Sequence, residues 1–278
     1  MGGSVRRCIR MGKGWAKGLT AATDARVARR AEGHRGKLYV RRTPLEKLRW
    51  SVRTATTLPL AWSDAIAYVV GLTATDGCLT HSRRRSINFK SEDFELVSRY
   101  LALLGRTNTI GVELTRDGNI VYRTQFGDAR LYEWFRSVGL MPRKSLVLGA
   151  IDVPDSNVSH LVRGLLDGDG SILNYTYEGT GKARGTYEAI RTVFNSASRA
   201  HVEWLRERLR SQLEIWGSIG THKPSDRIHP MHRLAYANHE SSRLLPWLYS
   251  GLDVPCLQRK RVIWDSYAAR HEPDRAVK

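Results

Sequence analysis

The sequence is short of cysteine and of long apolar runs, and each shortage excludes a class of protein. Three cysteines occur in 278 residues, at positions 8, 78 and 256, which are too few and too widely spaced for a disulfide framework or a zinc site. No apolar run approaches the roughly 18 residues of a membrane span. We therefore expect a protein of a reducing compartment with no membrane partner: cytoplasmic and nucleoid-associated in a bacterium or phage, with an organelle as the alternative.

Acidic residues are scarce as well. The chain has 27 Asp and Glu against 45 Lys and Arg, a formal net charge of +18. This balance is typical of a nucleic-acid-binding protein, because each phosphate contact releases condensed counterions. Charge alone leaves acidic partners or membrane surfaces as the alternative. The hydrophobic content of 41% is enough for a packed core.

Positive charge is concentrated near the start of the chain. Residues 1–50 carry 14 lysines and arginines, and their acids are Asp24, Glu32 and Glu46. Such a block is typical of an arm that follows a phosphate backbone. We expect a basic N-terminal arm over residues 1–61 that serves as an accessory DNA-binding module, the alternative being a solvated tail.

From residue 63 onward the sequence repeats itself. IAYVVGLTATDGCL (66–79) matches SHLVRGLLDGDGSI (159–172) in length, apolar pattern and terminal Asp-Gly. Two further pairs follow in the same order: SINFKSEDFELVSRYLALLG with RTVFNSASRAHVEWLRERL, and YEWFRSVGLMPRKS with LPWLYSGLDVPCLQRKR. The shared order predicts a tandem duplication, with one unit over residues 62–157 and another over residues 158–278.

Each unit has the pattern helix, hairpin, helix, hairpin, helix. From Ser86 to Lys90 polar and apolar residues alternate, as in a strand with one buried face. Asp117-Gly118 predicts a tight hairpin turn between two strand-like runs, and GTGKARG at 179–185 predicts a longer one. We therefore predict an α+β fold of two pseudo-symmetric αββαββα units, with a pair of antiparallel sheets around a central two-helix interface.

The two segments that end in Asp-Gly predict helices that cross at close range. Gly71 and Thr75 in the first helix, and Gly164 and Gly168 in the second, are four residues apart and therefore share a helix face. Small side chains at these positions allow close backbone contact.

An acid and a glycine follow each of these helices. We expect Gly77 and Gly170 to take the left-handed conformation that ends a helix, which places Asp76 and Asp169 at the helix ends. A carboxylate there is unfavourable by about 0.3–1 kcal/mol, because the helix dipole is negative at that end. Two such acids indicate a compensating cation, and hard oxygen ligands suit Mg²⁺, with Mn²⁺ as a substitute. Two acids that only solvate a turn are the alternative.

The segments VVGLTATDG (69–77) and VRGLLDGDG (162–170) resemble the two signature motifs of the LAGLIDADG homing endonucleases, in the single-chain form of the family. The resemblance extends to GLMPRKS at 139–145 and to the basic pair at 259–260. It implies a monomeric, site-specific endonuclease of double-stranded DNA, encoded by mobile elements such as introns, whose two curved sheets saddle the duplex. The family cuts both strands across the minor groove and leaves short 3′ overhangs.

By the same resemblance, Asp76 and Asp169 are the catalytic acids that hold the metal, assisted by the main-chain carbonyls of Thr75 and Gly168. A divalent cation in such a site activates water and stabilises the leaving oxygen.

Three further positions follow from the motif alignment. Lys90 matches a lysine that family members often carry near a strand end, which implies a catalytic role; a phosphate contact is the alternative. Its counterpart in the second half is Asn195, so we expect either unequal rates at the two sites or a lysine or arginine supplied to the second from elsewhere. Asp167 has only Ala74 as its counterpart, and we do not expect it to be catalytic.

DNA contacts are expected from polar strand positions and hairpin tips, because Arg and Gln can pair with base edges in the major groove. Most contacts should go to phosphates. The candidates in the first half are Arg83, Arg84, Arg85, Asn88, Arg123, Gln125, Arg143 and Lys144. Those in the second half are Lys182, Arg184, Arg191, Lys223, Arg227, Arg233, Arg259 and Lys260. Residues 14–37 also loosely resemble the Trp-x-Lys-Gly-Leu-Thr modules attached to some homing endonucleases.

A second class of function stays open at this point. The same fold serves as a non-cutting DNA-binding regulator or as an RNA splicing maturase. Retention of both Asp76 and Asp169 favours cutting, because a protein that only binds does not need two unfavourable acids.

Overall fold

The structure is a computed structural model that describes residues 22–25, 28, 56–80, 85–115, 117–180, 184–223, 228–251 and 253–271. Backbone contacts divide the chain into two units, residues 1–44 and 45–278. In the first unit, the amide of Ala28 donates to the carbonyl of Asp24 (3.0 Å). The predicted arm lies almost entirely outside the described residues, so the bounds of the three predicted domains stay predictions. The second unit contains all the elements given below.

The first half of this unit follows the predicted helix and hairpin order. Its elements are α1 (Asp64–Thr75), β1 (Gly77–Leu79), β2 (Ser86–Ser91), α2 (Phe94–Leu103), β3 (Gly111–Leu114), β4 (Ile120–Gly127) and α3 (Ala129–Ser137). The hydroxyl of Ser63 accepts a hydrogen bond from the amide of Ile66 and so caps α1. The amide of Thr57 donates to the carbonyl of Leu104 (3.1 Å), so the chain already contacts this half before α1 begins.

The second half repeats the order and adds one helix. Its elements are α4 (Val158–Asp167), β5 (Ser171–Gly179), β6 (Gly185–Ser196), α5 (Arg199–Leu213), β7 (Ser218–His222), β8 (Met231–Tyr236), α6 (Asn238–Leu248) and α7 (Gln258–His271). The two antiparallel sheets have matching strand orders, β1-β2-β4-β3 and β5-β6-β8-β7. The predicted α+β class with two pseudo-symmetric αββαββα units is confirmed.

Strand alternation sets the two faces of each sheet. In β2, Ile87 and Phe89 are fully buried on the helix side, whereas Lys90 is exposed. The turn at Gly118 joins β3 and β4, and its φ of +80° explains why glycine occupies it. Among the described residues, no helix is long and apolar enough to cross a membrane.

The predicted left-handed ends of α1 and α4 are wrong. Gly77 and Gly170 are not among the described residues with positive φ. Glycine is needed at both positions because the backbone turns back over the helix that it has just left. A Cβ on Gly77 would lie 2.6 Å from the carbonyl oxygen of Thr73, and a Cβ on Gly170 would lie 2.7 Å from the carbonyl oxygen of Leu166. The close approach arises because a strand starts almost directly after each helix.

Candidate active site

Helices α1 and α4 cross with their backbones in contact. A Cβ on Gly71 would lie 2.9 Å from the Cα of Gly164, and a Cβ on Gly164 would lie 3.0 Å from the Cα of Gly71. At the helix ends, a Cβ on Gly168 would lie 2.6 Å from the Cβ of Thr75. The four positions that the sequence indicated for the interface therefore face each other. The crossing brings the two helix ends, and the acid that follows each, to one place.

The acids Asp76 and Asp169 lie at these ends. Asp76 caps α1 and is half-buried, whereas Asp169 follows the end of α4 and is exposed. A Cβ on Gly168 would lie 3.1 Å from Oδ2 of Asp76. Burial, followed by the charge of Asp169, raises the pKa of Asp76 to about 7, against the charges of Lys260 and Lys144. The two carboxyl groups are therefore close enough to repel each other, and the charges of the two lysines offset part of this repulsion.

A buried lysine lies beneath each helix end. The Nζ of Lys144 donates to the carbonyls of Thr75 (3.3 Å) and Gly77 (2.5 Å). The Nζ of Lys260 donates to the carbonyls of Gly168 (3.3 Å) and Gly170 (2.8 Å). These two pairs of carbonyls are equivalent in the repeat, so the lysines are pseudo-symmetric partners. Lys260 also donates to the carbonyls of Leu166 (2.7 Å) and Asp167 (2.8 Å).

This position corrects the prediction that Lys144 and Lys260 contact DNA. Both side chains are more than nine-tenths buried, and their hydrogen bonds go to backbone carbonyls. Burial lowers the pKa of Lys144, and it lowers that of Lys260 to about 8. The acids Asp76 and Asp169 oppose the shift at Lys144. The sequence did show a basic pair at the same place in each half, but not the direction in which either lysine points.

Lys90 does not join this group. Its Nζ forms an ion pair with Oε2 of Glu113 (2.6 Å), on the neighbouring part of the sheet. The lysines whose charges act on Asp76 are instead Lys260 and Lys144. In this structure Lys90 is a half-exposed residue on the sheet surface, and its catalytic role stays a prediction.

Asn195, the counterpart of Lys90, contacts its acid through the side chain, whereas Lys90 contacts the carbonyl of Asp76 through its backbone amide (3.4 Å). Its side-chain amide donates to the carbonyl of Asp169 (3.2 Å). It pairs with Arg233 on β8, as Lys90 pairs with Arg123 on β4.

Asp167 forms hydrogen bonds that hold elements together, in line with its having Ala74, which is not an acid, as its counterpart in the first half. Its Oδ2 accepts hydrogen bonds from the hydroxyl of Tyr68 (2.7 Å) and from the amide of Leu257 (2.8 Å). Burial raises its pKa to about 6 against the opposing effect of these hydrogen bonds and of the charge of Lys260. The carboxyl group thus ties α4 to α1 and to the segment that leads into α7, the helix that carries Lys260.

Comparisons with known proteins bear on the fold. No protein-family model and no curated protein sequence matches the chain. Among solved structures, the I-LtrWI LAGLIDADG homing endonuclease bound to target DNA aligns with a TM-score of 0.52 at 9% identity, over 77% of this chain and 91% of that one. LAGLIDADG meganuclease I-AabMI bound to uncleaved DNA aligns with the same TM-score at 12% identity, over 75% and 91%.

The chain has the LAGLIDADG homing endonuclease fold. The homing endonuclease I-WcaI bound to its DNA recognition sequence aligns as well, with a TM-score of 0.50 at 15% identity, over 74% of this chain and 88% of that one. At these identities the likeness concerns the fold.

In this LAGLIDADG fold, several of the predicted DNA-binding residues share the sheet face that points away from the helices. Asn88 pairs with Gln125, and Arg123 with Lys90, on the first sheet. On the second, Arg191 and Arg233 occupy the corresponding face of β6 and β8, because they alternate with the buried Thr192 and Leu234. Arg143, Arg184 and Lys223 are exposed in connecting segments.

Other predicted DNA-binding residues are engaged within the protein. Arg85 forms an ion pair with Glu133 (2.8 Å), and Arg123 forms one with Glu113 (2.7 Å). Arg259 donates twice to Asp93 at 2.9 Å, which joins the two halves. Arg83, Arg84, Lys182 and Arg227 lie outside the described residues.

The donor set of the LAGLIDADG helix ends suits a hard cation. Within the part of the chain that the structure describes, no group of three or more His, Cys, Asp or Glu residues could hold a metal ion, and the carboxylates at the two helix ends are those of Asp76 and Asp169. The carbonyls of Thr75 and Gly168 lie beside them, each with a long contact from a lysine. Mg²⁺ commonly uses one or two carboxylates and takes its other ligands from water and phosphate. The residues present therefore fit such an ion together with a phosphodiester.

Proposed function

We propose that this chain is a divalent-metal-dependent, site-specific endonuclease that hydrolyses both strands of double-stranded DNA. The observation that carries the proposal is the doubled arrangement at the helix ends: two mutually repelling acids, Asp76 and Asp169, each beside a helix end with a buried lysine beneath it. If the two acids only solvated turns, they would not have to lie close enough to repel each other, and no buried lysine would be required beneath each helix end.

Each residue has a role that follows from its position. Asp76 and Asp169 would hold Mg²⁺ or Mn²⁺, with help from the carbonyls of Thr75 and Gly168; the cation supplies activation of water and stabilisation of the leaving oxygen. Lys144 and Lys260 fix the helix ends and thereby the positions of the acids. Their ammonium groups also place preorganised positive charge near the phosphate, where negative charge develops during hydrolysis.

The sheet faces supply the DNA-binding surface. A major groove admits a two-stranded β-ribbon, and the net charge of +18 favours binding to a polyanion. The solved structures that share the fold include endonucleases bound to DNA. Because one chain contains both acids, we propose that the protein acts as a monomer and cuts across the minor groove to leave short 3′ overhangs.

Asp76→Asn and Asp169→Asn test the site. With Mg²⁺ and a library of duplex DNA, or the uninterrupted insertion locus, each variant should lose double-strand cleavage and keep its affinity for the duplex, because the change removes charge without changing shape. Asp152→Asn is the matched control, since Asp152 is an exposed acid outside the site and its loss should leave cleavage unchanged.

Two outcomes would contradict parts of the proposal. Normal cleavage by either site variant would refute the assignment of the acids. Tight binding by the wild-type protein with no cleavage in Mg²⁺ or Mn²⁺ would place it with the non-cutting regulators or, if RNA is bound in preference, the maturases.

A further inference from the structure

The long hairpin of the second sheet carries an exposed apolar surface that polar DNA contacts do not account for. Four of its side chains, Leu173, Tyr175, Tyr177 and Tyr187, are between 40% and 50% exposed. We call these four residues the tyrosine strip. Exposed groups of large apolar side chains on one face commonly mark a binding surface.

Strand register places the strip on a single face. Tyr177 lies opposite Tyr187, and their rings stack with centroids 5.7 Å apart. Tyr175 and Tyr177 alternate along β5 with centroids 6.3 Å apart. The intervening Thr176 points to the opposite face, where its cross-strand partner Glu188 forms an ion pair with Arg270 (2.5 Å). The strip is therefore separate from the core and from the polar network behind the sheet.

The tyrosine strip is continuous with the face that we assign to DNA. Leu173 lies directly opposite Arg191, and Asn195, four residues further along β6, donates to the carbonyl of Asp169. At roughly 3.4 Å per strand residue, Leu173 to Tyr177 spans about 14 Å, or about four base pairs of B-DNA. The strip thus extends outward from the proposed cleavage site along β5 and β6.

The two sheets differ in chemistry on this face. The first presents Asn88, Lys90, Arg123 and Gln125, which can hydrogen-bond with base edges or phosphates. The second presents Arg191 and Arg233 nearer the helix ends and, further out, Leu173 and aromatic rings, whose apolar surfaces cannot read hydrogen-bonding edges. In the major groove, the apolar feature of a base pair is the C5-methyl group of thymine.

We propose that the tyrosine strip recognises thymine methyl groups in the major groove of the outer second half-site. This inference rests on the proposed function, because it places duplex DNA on the sheet face. DNA fits better than a protein partner because the strip borders Arg191 and runs on from the acids, on a chain of strong positive charge.

The test begins with selection of bound duplexes from a randomised library by the wild-type protein. The selected half-site that contacts the second sheet should be enriched in thymine over about four adjacent positions. Uracil in place of thymine there removes the methyl group and leaves the pairing edge unchanged. Binding should weaken about fourfold for each buried methyl group removed, and the same exchange in the other half-site should have little effect.

Variants distinguish apolar contact from hydrogen bonding. Tyr175→Phe, Tyr177→Phe and Tyr187→Phe in combination should keep the thymine preference, whereas the three serine substitutions should abolish it and remove the difference between thymine and uracil. Thr176→Ala, on the opposite face of the same strand, is the control and should bind as the wild type does. Thermal unfolding of the serine variant checks that the loss is not one of folding.

Failure of this inference can be told apart from failure of the proposed function. If wild-type protein binds duplex DNA but the serine variant keeps its affinity and consensus, the strip assignment is overturned and the endonuclease proposal stands. If the serine variant instead changes sedimentation of the free protein with no effect on DNA binding, the strip is a protein contact. If the wild type binds no duplex DNA, both proposals fall.

Discussion

Lys144 and Lys260 show how one residue can serve both the fold and the site. A buried ammonium group is costly unless hydrogen bonds compensate it, and here the partners are carbonyls at the ends of α1 and α4. Those carbonyls carry the negative end of the helix dipole, which favours a cation. The lysines also offset part of the repulsion between the acids, since both lower the pKa of Asp76. Loss of either lysine should therefore disturb a helix end together with its acid.

His201 links the second half to the segment that joins the halves. It is buried, and its Nδ1 lies 2.9 Å from the carbonyl of Gly149, so this nitrogen carries the proton. Burial, helped by the charge of Lys144, lowers the pKa of His201 to about 4, against the hydrogen bond to Gly149. In the unfolded chain a histidine titrates near pH 6.5.

The shift at His201 predicts a loss of stability in mild acid. The unfolded state binds the proton more readily, so the stabilisation is complete above about pH 6.5 and falls as the pH drops towards 4. Between pH 7.5 and 5 we expect the free energy of unfolding to lose roughly 2 kcal/mol through this residue. Urea unfolding of wild type and His201→Gln isolates the effect from the carboxyl groups, which titrate in both. An equal pH dependence in the two proteins would contradict the assignment.

At the scale of elements, the crossing of α1 and α4 positions the site. Gly71 and Gly164 bring the helix backbones into contact, and Thr75 and Gly168 do the same at the ends. Arg163, which is fully buried on α4, donates to the carbonyls of Leu248 and Pro255 and so attaches this helix to the elements behind it. The distance between Asp76 and Asp169 therefore depends on how closely two helices pack.

Gly71→Ala tests that packing. In an isolated helix alanine would be favoured by about 1 kcal/mol, but here its Cβ would meet the carbonyl of Leu161 and lie 2.9 Å from the Cα of Gly164. Because both contacts are backbone, the helices must separate, and we expect a net loss of about 3 kcal/mol in unfolding free energy together with a large loss of cleavage. Chemical denaturation and a cleavage assay measure the two effects.

Gly149→Ala is the control for this substitution. No atom lies within 4 Å of a Cβ at Gly149, so its stability should stay within about 0.5 kcal/mol of the wild type. Equal stability of the Gly71 variant would show that the helices are not in close contact.

At the scale of the whole molecule, duplication and charge act together. One chain contains two equivalent helix ends, two sheets of matching strand order and a net charge of +18. Its halves are not identical: Lys90 in the first half is aligned with Asn195 in the second, and the tyrosine strip of the second sheet has no aromatic counterpart among the described residues on the polar face of the first. Such asymmetry suits a target whose two half-sites differ.

Stoichiometry and salt dependence test this view of the molecule. We expect one 31.5 kDa chain per duplex in analytical ultracentrifugation. If six to ten phosphates are contacted, fluorescence anisotropy should show affinity falling about 10³- to 10⁵-fold between about 50 and 200 mM salt. Two chains per duplex would contradict the monomer proposal, and a shallow salt dependence would contradict broad phosphate contact by the sheets.

The sequence by itself determined the features that depend on local pattern. Alternation of period two, helical spacing and the Asp117-Gly118 turn were enough for the α+β class and the order of elements, because these patterns follow from backbone geometry. The internal repeat singled out Asp76 and Asp169, since only the second acid of the motif occurs twice.

Only the tertiary structure decided where long side chains point and why some glycines are needed. Lys144 donates to carbonyls 67 to 69 residues away in the sequence, and Lys260 donates to carbonyls 90 to 94 residues away. Lys90 forms an ion pair with Glu113 on another strand. Gly77 avoids its own helix instead of adopting a left-handed turn. A local pattern carries no information on contacts between distant elements, and the partner of a flexible charged side chain is set by whichever element packs against it.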